Sequence, residues 1–173
     1  GLLVNSDGVL TGNGVIAADS AGTTATFVRN AGAITAGSGQ TLRVVGSLTN
    51  QSGSSLSVSN GGAFIASAAS TNAGTVNIGS GSSATFSNGL SSAGSLIIDG
   101  TLTGATTIAS GGTLSGSGTM ASAVQIGSGG TLAIGNSPGT MTFDENLTLD
   151  LNSTSIFEID GFGAGQFDLA SGL

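Results

Sequence analysis

Glycine recurs at positions 32, 53, 74, 94, 112 and 130, at intervals of 21, 21, 20, 18 and 18 residues. The text around these glycines recurs with them: "NAGAITAGSG" (30–39), "QSGSSLSVSNGG" (51–62), "NAGTVNIGSG" (72–81), "SAGSLIIDG" (92–100), "GGTLSGSGTM" (111–120) and "GGTLAIGNSPGTM" (129–141). A unit of this length cannot bury an apolar face by itself, so it must stack on copies of itself. The repeat therefore restricts the chain to a solenoid.

Inside each unit the apolar residues alternate. Ile34 and Ala36, Leu56 and Val58, Val76 and Ile78, and Leu132 and Ile134 are separated by one small or polar residue, and Leu96 and Ile98 keep the same spacing around Ile97. A second set follows eight residues later: Leu42 and Val44, Phe64 and Ala66, Ala84 and Phe86. Period two specifies strands, two or three short ones per unit. Coiling the chain so that equivalent strands pair in parallel buries the apolar face and removes the long edges that isolated hairpins would leave. The expected fold is all-β, a right-handed single-stranded parallel β-helix with coils of about 18–22 residues. Eight or so coils at ~4.8 Å each make a rod on the order of 40 Å long. Leu114 should lie directly over Leu132, and the slip of one residue at Ser55–Leu56 should appear as a bulge.

Between strands, Gly, Asn and Ser are expected to turn the chain through positive φ. Asn30, Gln51, Asn72 and Ser92 each stand two places before a repeat glycine. That placement predicts a structural ladder in which their side chains bond from coil to coil.

Composition narrows function. The chain has Gly at 32 of its 173 positions, only 6% charged residues, and no Cys or His, yet its mean hydropathy is positive. Disordered chains show the opposite balance. Arg29 and Arg43 stand against nine carboxylates, so no basic patch can form and nucleic acid is excluded as a partner. Without Cys there is neither a disulfide framework nor a thiolate metal site. No apolar run is long enough to span a membrane, and no signal-peptide pattern is present. The chain opens on "GLLVNSDGVL" and stops at "FDLASGL" without a closing polar segment, as expected of one continuous β-helix fragment of a longer protein, with irregular coils over 1–107 and a distinct set over 108–173.

That second set carries a resemblance. "GGTLSGSGTM", "VQIGSGGTLAIGNSPGTMTF", "ENLTLDLNSTSIFEID" and "GQFDLASG" together resemble the passenger-associated transport repeat of autotransporter passenger domains. Ile134 stands where that family usually has Pro; an apolar residue there preserves the strand. The resemblance implies an extracellular, non-catalytic stalk or adhesin segment of a type V secretion product, displayed on the bacterial cell surface. It implies C-terminal coils that assist folding during export, and an outer-membrane translocator outside this fragment. The turn motif Gly135, Asn136, Ser137, Pro138 and Gly139 has its own physical reading. Pro138 is the sole proline, and Ser137–Thr140 places Pro and Gly at the centre of a type II turn, a preset corner suited to nucleation.

Candidate chemistry concentrates after residue 142. Asp144, Glu145, Asp150, Glu158, Asp160 and Asp168 could supply a glycosidase pair or calcium ligands. The chain offers no His, Tyr, Trp or Lys to meet a sugar or uronate, and no Asp-bearing calcium nonapeptide, so neither an enzyme nor a metal or cofactor site is expected. Those acids read as a solvated face. Phe143, Phe157, Phe162 and Phe167 read as core or cap before adhesive patch. Asn50, Asn146 and Asn152 begin glycosylation triplets that carry little weight in a chain this rich in Ser and Thr. Expected partners are host-cell or matrix glycans and proteins, or further copies of the chain. Three alternatives remain: a self-assembling fibre, an ice- or crystal-binding solenoid, and a polysaccharide lyase or glycosidase. "TLT" (101–103) and "TMT" (140–142) suit the second, but they do not recur at the repeat interval.

Overall fold

The computed structural model describes residues 1–135, 138–163 and 165–172; among them there is no helix. The chain is a β-solenoid of about seven turns with three parallel sheets. Each sheet forms one face and contains eight strands, so the coils define eight levels. The first face comprises Leu2–Val4, Thr26–Asn30, Gly46–Asn50, Ser70–Asn72, Leu90–Ser92, Thr106–Ile108, Val124–Ile126 and Leu147–Leu149. The second comprises Val9–Thr11, Ala33–Ala36, Ser55–Val58, Thr75–Ile78, Ser95–Ile98, Thr113–Gly116, Thr131–Ile134 and Thr154–Ile156. The third comprises Gly14–Ile16, Thr41–Val44, Ala63–Ala66, Ser83–Phe86, Thr101–Thr103, Thr119–Met120, Thr140–Phe143 and Leu169–Ser171.

Alternation places one column of each face inside. Leu10, Ile34, Leu56, Val76, Leu96, Leu114 and Leu132 stand in register up the second face, and Leu114 does lie over Leu132. Six of these seven are fully buried; Leu10, in the first coil, is only partly so. At about 1.5–3 kcal/mol per buried side chain, such columns are the main source of stability. On the third face Phe64 lies over Ala84 and Ala66 over Phe86, so large and small residues exchange places between levels. The two rings meet diagonally with centroids 5.8 Å apart, and the interior cross-section stays filled.

Charge is partitioned with equal consistency. All nine carboxylates lie outside the strands, in corners and in the stretch 157–168 that leaves the last coil. In a parallel sheet, identical positions stand ~4.8 Å apart, where like charges repel by about 1 kcal/mol even in water. Corners splay these groups apart.

The repeat glycines act differently from expectation. Only Gly53 among the six has a positive φ. Gly32, Gly74, Gly94 and Gly112 lack space instead: an added Cβ would lie 2.1–2.3 Å from a backbone oxygen of the preceding coil. Left-handed backbone occurs at Gly39, Gly61, Gly81, Gly111 and Gly129, in four-residue corners. The slip near Ser55 is also placed differently. Ser55 and Leu56 pair in register with Ala33 and Ile34, so no bulge interrupts the strand; the surplus residues occupy the corner Gln51–Ser54.

Candidate functional site

The ladder exists, with one member corrected. Asn30 Nδ2 donates to Asn50 Oδ1 (2.7 Å), Asn50 Nδ2 to Asn72 Oδ1 (2.8 Å), and Asn72 Nδ2 to Ser92 Oγ (2.9 Å). Gln51 takes no part in these side-chain bonds. It opens the enlarged corner, where its carbonyl accepts from the Ser54 amide, and the extra residues move Asn50 into the column. Counting back two places from Gly53 selects Gln51, whereas the residue equivalent to Gly32 and Gly74 is Ser54.

The corners explain why the column is polar there. Where the corner has two residues, its glycine N–H has no carbonyl of that corner to reach, and the amide side chain supplies the acceptor: Gly32 N–H donates to Asn30 Oδ1 and Gly74 N–H to Asn72 Oδ1. Each Asn Nδ2 also satisfies a carbonyl of the next coil, of Ser55, Thr75 or Ser95. Where the corner has four residues it closes its own bond, as from Gly112 N–H to the Ala109 oxygen and from Gly130 N–H to the Gly127 oxygen. There the same column becomes Ile108 and Ile126, whereas Asn50, also followed by a self-closing corner, uses its Oδ1 to accept from Asn30 Nδ2 and Ser54 Oγ. Among the described residues no buried side-chain polar atom lacks a partner.

The C-terminal acids separate by environment. Asp168 is buried, and its carboxylate accepts from Gly139 N–H (2.8 Å) and Glu158 N–H (2.7 Å). It clips the protruding stretch 157–168 to the corner containing Pro138. Gly135, with φ 96°, faces it so closely that a Cβ would collide with Asp168 Oδ1. Asn136 and Ser137 lie outside the described residues, and the type II turn expected at 137–140 rests on Ser137. Asp150 accepts from Gln125 Nε2, and Glu145 accepts from Ala123 N–H; both are local ties. Among the described residues no group of three or more His, Cys, Asp or Glu could hold a metal ion. Far away, the Asp19 carboxyl is held well below the usual carboxylate range by hydrogen bonds from Thr24 and then Thr23, which close its loop. Of the four phenylalanines, only Phe143 is interior; Phe157, Phe162 and Phe167 are exposed.

Replacing Asp168 by Ala removes two charge-assisted backbone bonds, each worth roughly 1.5–3 kcal/mol. The expected outcome is local. Hydrogen exchange at Gly139 and Glu158 should accelerate at least tenfold, while amides of Val76 and Leu96 keep wild-type protection. Uniform acceleration through the chain would contradict the clip.

What the rod presents outward is hydroxyl. Ser55, Thr75, Ser95, Thr113, Thr131 and Thr154 form an unbroken column on the second face, which has no charged residue in any of its strands. Thr71, Ser91, Thr107, Gln125 and Thr148 continue in register up the first face. On the third, Ser83, Thr101, Thr119, Thr142 and Ser171 align. Unequal corner lengths hid this last column, because Thr101, Thr119 and Thr142 stack although their sequence intervals differ. The second-face column was legible, since each member from Ser55 to Thr131 immediately precedes an apolar strand residue. Compared with known protein families, curated proteins and solved structures, the chain matches none.

Proposed function

We propose that this chain is a non-catalytic structural stalk or adhesin segment of a secreted or cell-surface bacterial protein, whose last coils assist folding during export. One observation carries the reading: three uninterrupted sheets of eight strands enclose one continuous apolar core from Val4 to Phe143, while every carboxylate is relegated to corners and the C-terminal protrusion. Such a rod transmits load through backbone hydrogen bonds along its axis and offers proteases few loose loops. Its uncharged hydroxyl columns suit weak contacts repeated many times. The resemblance of residues 108–173 to the passenger-associated transport repeat supports the export half of the reading. Pro138, in the corner clipped by Asp168, is the candidate nucleation point.

The test joins the chain to an outer-membrane translocator in a Gram-negative host. Wild type should reach the surface and resist added protease. Pro138→Ala should slow both surface arrival and refolding in vitro by several-fold, with the urea midpoint nearly unchanged. Periplasmic retention of wild type, or equal rates for the two proteins, would overturn the export role.

A further inference from the structure

Two open cavities of about 380 and 410 Å³ adjoin on the first face and share Ala105 and Thr107, forming one groove parallel to the rod axis. From Thr71 to Thr148 it climbs four levels, ~19 Å at the inter-strand spacing. Its rail is Thr71, Ser91, Thr107, Gln125 and Thr148; Gln125 Nε2 donates to the Asp150 carboxylate, while the four hydroxyls make no hydrogen bond among the described residues. Its floor is Ala69, Gly89, Ala105 and Ala123, closed by Asn146. No charged residue lines it.

We propose that this groove binds a neutral, unbranched polysaccharide laid along the rod axis, its sugar hydroxyls meeting the Thr/Ser rail and its ring faces resting on the Ala floor. Three observations choose this ligand class. A peptide strand would need free backbone groups, yet the amides of Ser70, Leu90, Thr106 and Val124 already donate to the next level. A polyanion, whether nucleic acid or uronate chain, finds no cation in the groove and a net charge of -7 around it. Unpaired hydroxyls at Thr71, Ser91 and Thr107, one level and so ~4.8 Å apart, stand beside an apolar floor, and the Gln125 amide continues the polar edge to Thr148, which matches a sugar chain in both polarity and period. The proposal deepens the attachment half of the proposed function and rests on it; the export experiment reads surface delivery and is indifferent to sugar binding, so the two can fail separately.

The test titrates the full chain with cellohexaose and, separately, hexagalacturonate, following backbone amide NMR shifts. Cellohexaose at millimolar concentration should move amides at 69–71, 89–91, 105–107 and 123–125, leaving the second face still. Ala105→Leu with Ala123→Leu fills the floor at outward positions and should weaken binding at least tenfold. Thr113→Val with Thr131→Val, on the flat second face, should leave affinity within twofold of wild type. Should the floor variant fail to fold, Ser91→Ala with Thr107→Val removes two rail hydroxyls and should weaken binding at least fivefold. Absence of groove shifts, equal shifts on the second face, undiminished binding in a folded groove variant, or stronger binding of hexagalacturonate would each overturn the proposal.

Discussion

Gly94→Ala is expected to destabilise the rod by about 3 kcal/mol or more, although it adds only one methyl group at a half-buried corner. The added Cβ would lie 2.1 Å from the Gly74 oxygen and 2.6 Å from the Ala73 carbonyl carbon of the coil beneath. Neither can retreat cheaply. The Gly74 oxygen accepts from Ser95 N–H at 2.9 Å, so relief of the clash requires separating two levels in mid-rod. Gly81→Ala provides the comparison: Gly81 has φ 73° but nothing within 4 Å of the added atom, so its cost is backbone strain alone, about 1 kcal/mol. Urea denaturation of the two variants should give losses differing by at least twofold. Equal losses would show that the crowding between levels at Gly94 costs no more than backbone strain at Gly81, and would contradict the close-approach role assigned to the repeat glycines.

That distinction marks where sequence reading succeeds and where it stops. Alternation at Val76–Ile78 and Leu96–Ile98 identifies strands, and the regular glycines force stacking, because both signals are local and recur at every level. Register is legible wherever corners have equal length, as for Leu114 over Leu132. It fails where corner length changes. Gln51 falls outside the column because Asn50 enters it through a longer corner, and Thr142 stacks on Thr119 at a longer sequence interval because the residues between 134 and 140 lengthen that coil. Asp168 and the groove depend on segments that only the coiled chain brings together: Asp168 meets Gly139 across 29 residues, and the groove joins corners from five levels.

The ladder yields the sharpest electrostatic consequence. Asn50 is almost wholly buried; its Oδ1 accepts from Asn30 Nδ2 and Ser54 Oγ, while its Nδ2 faces two acceptors, Asn72 Oδ1 at 2.8 Å and the Thr75 oxygen at 3.0 Å. Asn50→Asp keeps the shape and both accepted bonds but turns a donor into a second carboxylate oxygen, leaving a buried charge aimed at two acceptors. The expected loss at about pH 7 is roughly 3–5 kcal/mol. Protonation restores one donor, so the carboxyl of the folded variant must titrate above the unfolded value of about 3.9. An acid whose pKa is raised by folding loses stability as pH climbs from its unfolded toward its folded value. The gap between variant and wild type should therefore be small near pH 3 and widen toward pH 7. Wild type moves the other way through Asp19, whose lowered pKa contributes stability that is lost on acidification, so the difference between the proteins is the quantity to read. Asn50→Leu separates charge from geometry. The same column accepts Ile108 and Ile126 beside self-closing corners, yet leucine at 50 leaves Asn30 Nδ2 and the Thr75 oxygen without their Asn50 partner, a loss of about 2 kcal/mol that does not vary with pH. A gap for Asn50→Asp that stays constant with pH would place residue 50 outside the ladder.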